Sequence, residues 1–209
     1  MIVKFCGFTS LADIEKVKSL DIDMVGFIHY KNSKRYVSVG EIKKLMLQLP
    51  KHIDKIVVVV NPTMSTIDQL VNETDLTTIQ LHGEESVECV QYIRKRYSHV
   101  KIIKAISATS YKNIKSKVAF YQNYVDLFII DTPSKHYGGS GKSFDWNILN
   151  ELNDTPFLIA GGINEDKIKL IEEMHLSHAG YDIASGIETK GCKDKNKMIK
   201  IIEQVKGVK

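Results

Sequence analysis

Ile2-Val3-Lys4-Phe5-Cys6-Gly7-Phe8-Thr9 opens the chain with a short, largely β-branched and aromatic run that breaks at a single glycine. In an open, doubly wound α/β sheet, the first strand-to-helix turn carries a glycine-rich dinucleotide fingerprint. Cys6-Gly7-Phe8-Thr9 has no such spacing. Period-two alternation along the run places Val3 and Phe5 on one face and Lys4 and Cys6 on the other. If the apolar pair faces covering helices, Lys4 and Cys6 point to the inside of whatever the strand helps to enclose.

Working outward, similar runs recur at Met24–His29, Lys55–Val60, Thr77–Leu81, Val100–Ile106, Leu127–Asp131, Pro156–Ala160 and Tyr181–Ala184. Amphipathic segments with recognisable starts lie between them. Ser10 precedes Leu11-Ala12-Asp13-Ile14-Glu15, Ser38-Val39-Gly40-Glu41 reads as a capping box, Ser86 opens Val87–Tyr97, and Asn164 opens Glu165–Met174. A last helix is predicted over Lys195–Val205. Eight strand–helix units at about 20 to 30 residues each are what a minimal parallel barrel requires. The predicted architecture is therefore α/β, a single-domain (βα)8 TIM barrel over residues 1–209. In such a barrel the first and last strands are neighbours. On the last strand Tyr181 and Ile183 alternate with Asp182 and Ala184, so Lys4 and Asp182 are predicted to meet in the interior, where neither charge is tolerable alone.

The bulk properties agree with one folded domain. Hydrophobic residues make up 43% of 209, enough for a full core. No apolar stretch approaches a bilayer span, so no membrane partner is expected. Met1-Ile2-Val3-Lys4 enters a strand directly, without the pattern of a secretory leader. Three separated cysteines (Cys6, Cys89 and Cys192) fit neither a disulfide framework nor a zinc knuckle, and the expected location is cytoplasmic. The formal charge of +4 comes from lysines scattered among acidic residues, without a basic helix face or an aromatic ladder, so no nucleic-acid partner is expected. A mildly positive field does suit an anionic small molecule.

In barrels of this kind the chemistry gathers at the C-terminal ends of the strands. This sequence puts Cys6 at strand one, His29 and then Arg35 at strand two, Gln80 and His82 at strand four, and Asp131 at strand six. Three glycine-rich turns follow, containing Gly138-Gly139-Ser140-Gly141, Gly161-Gly162 and Ser185-Gly186. The last two follow strands seven and eight, the usual phosphate position, where backbone N–H groups and a helix N-terminus receive an anion. Asp131 ends a buried run ahead of a long glycine-rich loop that reads as a mobile lid. A carboxyl shielded from water suits a general acid. A cysteine such as Cys6, read alone, is more often a packing residue than a base, but a strand end facing the barrel mouth is where reactive groups belong; acting as a base would require loss of its proton. No histidine, cysteine or carboxylate grouping has metal-ligand spacing.

Several segments together resemble the phosphoribosylanthranilate isomerases. They are Lys4–Thr9, Gly26-Phe27-Ile28-His29-Tyr30 with Ser33-Lys34-Arg35-Tyr36-Val37, Ile79-Gln80-Leu81-His82-Gly83, Asp131 with Gly138–Trp146, Ala160-Gly161-Gly162, and Asp182–Glu188. They run in order from the first strand to the last. The resemblance implies the step of tryptophan biosynthesis that converts N-(5-phosphoribosyl)anthranilate to an aminoketose phosphate by an Amadori rearrangement, with no cofactor and no metal. It implies Asp131 as general acid and Cys6 as general base. Arg35 would receive the anthranilate carboxylate. His82, Asp182, Gly139, Gly141, Gly161, Gly162, Ser185 and Gly186 complete the substrate-binding set. A small-molecule substrate is the expected partner, acting on a monomer or homodimer. The chain departs from the family pattern in lacking a proline near Lys31, in Phe5 and Phe8 where smaller aliphatics are common, and in Ala184 beside the phosphate turn. The nearest alternative is the histidine-pathway isomerase, which carries aspartate where this chain has Cys6. A catalytically silent phosphate-binding barrel is a second alternative.

Overall fold

In the computed structural model, residues 1–132, 146–152 and 155–207 are described. The loop holding Gly139 and Gly141 lies outside them. Eight parallel strands close into a barrel in sequence order: β1 (Ile2–Cys6), β2 (Met24–Ile28), β3 (Asp54–Val59), β4 (Thr78–Leu81), β5 (Lys101–Ser107), β6 (Leu127–Asp131), β7 (Phe157–Ala160) and β8 (Gly180–Ile183). Helices α1 (Leu11–Val17), α2 (Val39–Met46), α3 (Met64–Glu73), α4 (Val87–Arg96) and α5 (Tyr111–Tyr121) follow the first five strands in turn. A 3₁₀ segment, Trp146–Leu152, precedes β7, and α6 (Glu165–Glu173) and α7 (Lys195–Lys206) complete the wall. Among the described residues, no helix is long and apolar enough to cross a membrane.

The strands predicted from alternation are all present, with ends displaced by about one residue, the usual uncertainty of a terminus. The caps are those expected. The Ser10, Ser86 and Asn164 side chains each accept a backbone N–H of the first turn, and Ser38 and Glu41 form the reciprocal capping box.

Alternation sorts the core into two shells. Val3, Phe5, Val25, Phe27, Val57 and Ile79 pack outward against the helices. Cys6, Ile56, Val58, Ile103, Ile129 and Leu158 fill the barrel interior. Burying each such aliphatic side chain contributes roughly 1.5–3 kcal/mol, so a register slip of one residue would exchange the shells at prohibitive cost. The register of β1 on β8 pairs Lys4 with Asp182. Cys89, near the start of α4, is core. Cys192 begins β10 (Cys192–Lys193), which pairs antiparallel with β9 (Glu188–Thr189) in a small ribbon beyond β8.

Candidate active site

β1 delivers Cys6 to the C-terminal mouth of the barrel as a buried free thiol. Beneath it, Lys4 is wholly buried, and its Nζ donates to Asp182 Oδ1 at 2.7 Å. The Lys4 ammonium also interacts electrostatically with the Cys6 thiol. Burial pushes the Cys6 thiol above its ordinary range. The Lys4 ammonium is the strongest opposing influence, Asp182 works with burial, and Lys193 works against it. Burial alone would lower Lys4, but Asp182 and Cys6 more than offset it and hold the ammonium charged. Asp182, predicted as a substrate-binding residue, thus has one carboxylate oxygen committed to Lys4.

Asp131 ends β6 with its side chain 38% exposed, and His82 Nε2 stands 3.4 Å from its Oδ2. The Gln80 side-chain amide lies 3.1 Å from His82 Nδ1. With the amide donating, Nδ1 is the acceptor and the Nε2–H faces Asp131. Gln80 and His82, both read as mouth residues, are thereby joined to the acid.

Arg35 sits on the segment between β2 and α2. His29 shares a short hydrogen bond with this segment, Nδ1 to the Val37 carbonyl at 2.9 Å, and its ring lies 5.4 Å from that of Tyr36. Successive turns, Ser33 N–H to the Tyr30 carbonyl and Tyr36 N–H to the Ser33 carbonyl, bring the chain back beside β2. These bonds supply the restraint that a proline near Lys31 would otherwise give. His29 therefore ties this loop to the end of β2.

The two glycine turns after β7 and β8 touch each other. A Cβ on Gly186 would overlap the Ile163 carbonyl oxygen, and one on Gly161, where φ is +100°, would overlap Thr132. Only glycine allows this approach. Between the turns lies a cavity of about 430 Å³ lined by Gly162, Asn164, Ser185 and Gly186, with Lys197 and the acidic Glu165 and Asp166 on its walls. Asn164 caps α6, and the first-turn residues Glu165 and Asp166 border this cavity. Among the described residues, no group of three histidine, cysteine or carboxylate side chains could hold a metal ion.

Two side chains escaped the sequence reading. Glu188, which ends the Asp182–Glu188 segment and is given no role there, receives Arg35 Nε at 2.8 Å and Nη2 at 2.7 Å. Lys193, 3% exposed, donates to Glu188 Oε1 at 2.8 Å, to the Cys6 carbonyl at 2.7 Å and to the Ala184 carbonyl at 3.0 Å. No periodicity marks a lysine in a polar stretch as buried.

A parallel barrel with a thiol and a carboxyl at its mouth and a glycine-lined cavity after its last two strands fits a class: enzymes that move protons on a small phosphorylated substrate. Residues 3–204 match the family model of N-(5'-phosphoribosyl)anthranilate (PRA) isomerase. The chain is 51% identical to the N-(5'-phosphoribosyl)anthranilate isomerase of Staphylococcus aureus strain Mu3 over 207 residues, covering 99% of this chain and 98% of that one. The phosphoribosyl anthranilate isomerase of Thermotoga maritima superposes with a TM-score of 0.83 at 30% identity over the full length of both chains. A phosphoribosyl anthranilate isomerase solved with reduced 1-(o-carboxyphenylamino)-1-deoxyribulose 5-phosphate superposes at 0.82, with 27% identity and full coverage of both chains. The chain belongs to the PRA isomerase family.

Proposed function

We propose that this chain converts N-(5-phosphoribosyl)anthranilate to 1-(o-carboxyphenylamino)-1-deoxyribulose 5-phosphate in tryptophan biosynthesis, with Asp131 as general acid and Cys6 as general base. The observation that carries the reading is the convergence of a carboxyl on β6, a thiol on β1 and a glycine-lined cavity beside the turns after β7 and β8. Asp131 gives its proton to the ribose ring oxygen, the C1–O bond breaks, and the substrate nitrogen takes up the positive charge as an iminium ion. The Cys6 thiolate removes the proton from C2, and its electron pair returns to the nitrogen as the enolamine forms. Protonation at C1 and conversion of the C2 hydroxyl to a carbonyl complete the isomerisation. The substrate's own nitrogen is the electron sink, so atoms and electrons balance without a further reactant. Gly161, Gly162, Ser185 and Gly186 hold the phosphate through backbone N–H groups. A reducing cytoplasm suits a reaction that depends on a free thiol.

Purified protein mixed with phosphoribosylanthranilate generated in place should abolish the substrate's fluorescence; absence of turnover by correctly folded protein would reject the assignment. Arg35 receives the anthranilate carboxylate, for which a planar two-pronged donor is suited. Arg35→Ala is expected to raise KM on the order of tenfold or more, the scale of one charge-assisted hydrogen bond, with kcat within a few-fold of normal. An unchanged KM would remove Arg35 from the site.

A further inference from the structure

Arg35 does not stand free in the mouth. Its Nε and Nη2 form a parallel two-bond pair with the Glu188 carboxylate, 153 residues further along the chain. Among the described residues, its Nη1 has no protein partner. The arginine stem crosses the turn after β1, where Gly7 has φ of +81° and a Cβ would stand 2.5 Å from Arg35 Cδ, so the path exists only over a glycine. Glu188 is itself gripped from the other side by Lys193, which also binds the Cys6 and Ala184 carbonyls. One contiguous network therefore joins the arginine, the end of β1 that bears the thiol, and the end of β8 that leads into the phosphate turn.

We propose that Glu188, braced by Lys193, is a positioning residue that pre-sets Arg35 and so decides the preference for substrates bearing an aromatic carboxylate. This rests on the assignment of Arg35 to the anthranilate carboxylate. Two cations and one carboxylate leave the cluster a single net positive charge, the complement of one carboxylate ligand. Orienting the guanidinium before binding removes the ordering cost that a long, mobile side chain would otherwise impose on each binding event. The Glu188 edge is taken, which leaves the Nη1 edge to meet the ligand. Burial would raise the Glu188 carboxyl, but the hydrogen bonds from Arg35 and Lys193 hold it down at about 2. It is thus an anion throughout the neutral range.

The test compares two ligands on the intact protein by calorimetry. One is reduced 1-(o-carboxyphenylamino)-1-deoxyribulose 5-phosphate, and the other is the same molecule without the ring carboxylate. Glu188→Ala and Glu188→Gln should weaken the carboxylate-bearing ligand about tenfold, the scale of one side chain that must be ordered on binding, and leave the other nearly unchanged. Glu188→Asp, which keeps the charge on a shorter arm, should recover part of the difference. In an Arg35→Ala background, Glu188→Gln should add nothing to the loss. Equal weakening of both ligands would show a merely architectural role and overturn the proposal. So would tighter binding of the carboxylate ligand, or no effect at all. If Glu188→Ala does not fold, the Gln and Asp variants carry the comparison. Failure of the unaltered protein to turn over phosphoribosylanthranilate would instead reject the underlying function, which keeps the two outcomes apart.

Discussion

Asp131→Asn and Cys6→Ala are each expected to slow the chemical step by a factor on the order of 10² or more, the usual contribution of a positioned acid or base. The asparagine would keep the shape of the side chain and its hydrogen bonds to a ligand while having no proton to give the ring oxygen. The alanine would remove the only group at the tip of β1 able to take the C2 proton. Neither change touches the glycine turns or Arg35, so KM should stay within a few-fold, and single-turnover experiments with enzyme in excess isolate the loss in the chemical step. Folding is a manageable control. The Asp131 side chain is 38% exposed, and a buried thiol packs as a small hydrophobe, so its loss should cost on the order of 1 kcal/mol. Thermal melts will separate that cost from the kinetic one. Near-normal rates in both variants would overturn the acid–base mechanism.

The barrel was legible because it is written in short-range patterns. Two-residue alternation in Ile2–Cys6 and Tyr181–Ala184, combined with closure of the sheet, is enough to bring Lys4 and Asp182 together, and they meet at 2.7 Å in matched register. The serine caps were legible for the same reason, since Ser38 and Glu41 are three residues apart. What escaped detection depends on groups distant in sequence. The bond from Arg35 to Glu188 follows from the route of a flexible side chain over Gly7, and no periodicity encodes a route. Lys104 makes the same point. It shares the helix-facing register of Ile102 and Ile106, yet it is buried, held by Glu85 and by the carbonyls of Leu81, Gly83 and Ala105. A charged residue inside an apolar strand signals that some partner exists, but the identity of the partner emerges only once the loops are folded. The site divides along the same line. Strand-end residues such as Cys6, His82 and Asp131 could be placed by counting, while the network that orients Arg35 could not.

Lys4→Met is the second large effect, and it reaches both stability and the base. Methionine matches the lysine stem in length and packs adaptably, so the change removes charge with little cavity. It leaves the Asp182 carboxylate, whose side chain is 9% exposed, without its counter-ion. Removing one partner of a buried pair typically costs about 3–5 kcal/mol. Removing both, as in Lys4→Met with Asp182→Leu, should recover much of that loss, and a double-mutant cycle by denaturant unfolding measures the coupling. The sign of the pH dependence follows from the raised pKa of Lys4. The contribution of the pair is fully present below the ordinary lysine value of 10.5 and is lost only as pH rises through the higher folded value. The stability gap between the two proteins should therefore be flat through neutral pH and close only in strong alkali. The same substitution bears on the thiol. Burial already pushes Cys6 upward, and Lys4 is the strongest influence holding it back, so without Lys4 the thiolate becomes scarcer at any given pH. Alkylation of Cys6 by iodoacetamide, followed by mass spectrometry, should slow at neutral pH and shift its profile to higher pH, and kcat should fall with it. If Lys4→Met destabilised the fold but left the alkylation profile in place, the pair would be architectural alone. The Cys6 proton would then have to be drawn off by the bound substrate's surroundings, because Lys193 already has the Cys6 and Ala184 carbonyls and Glu188 as its three acceptors.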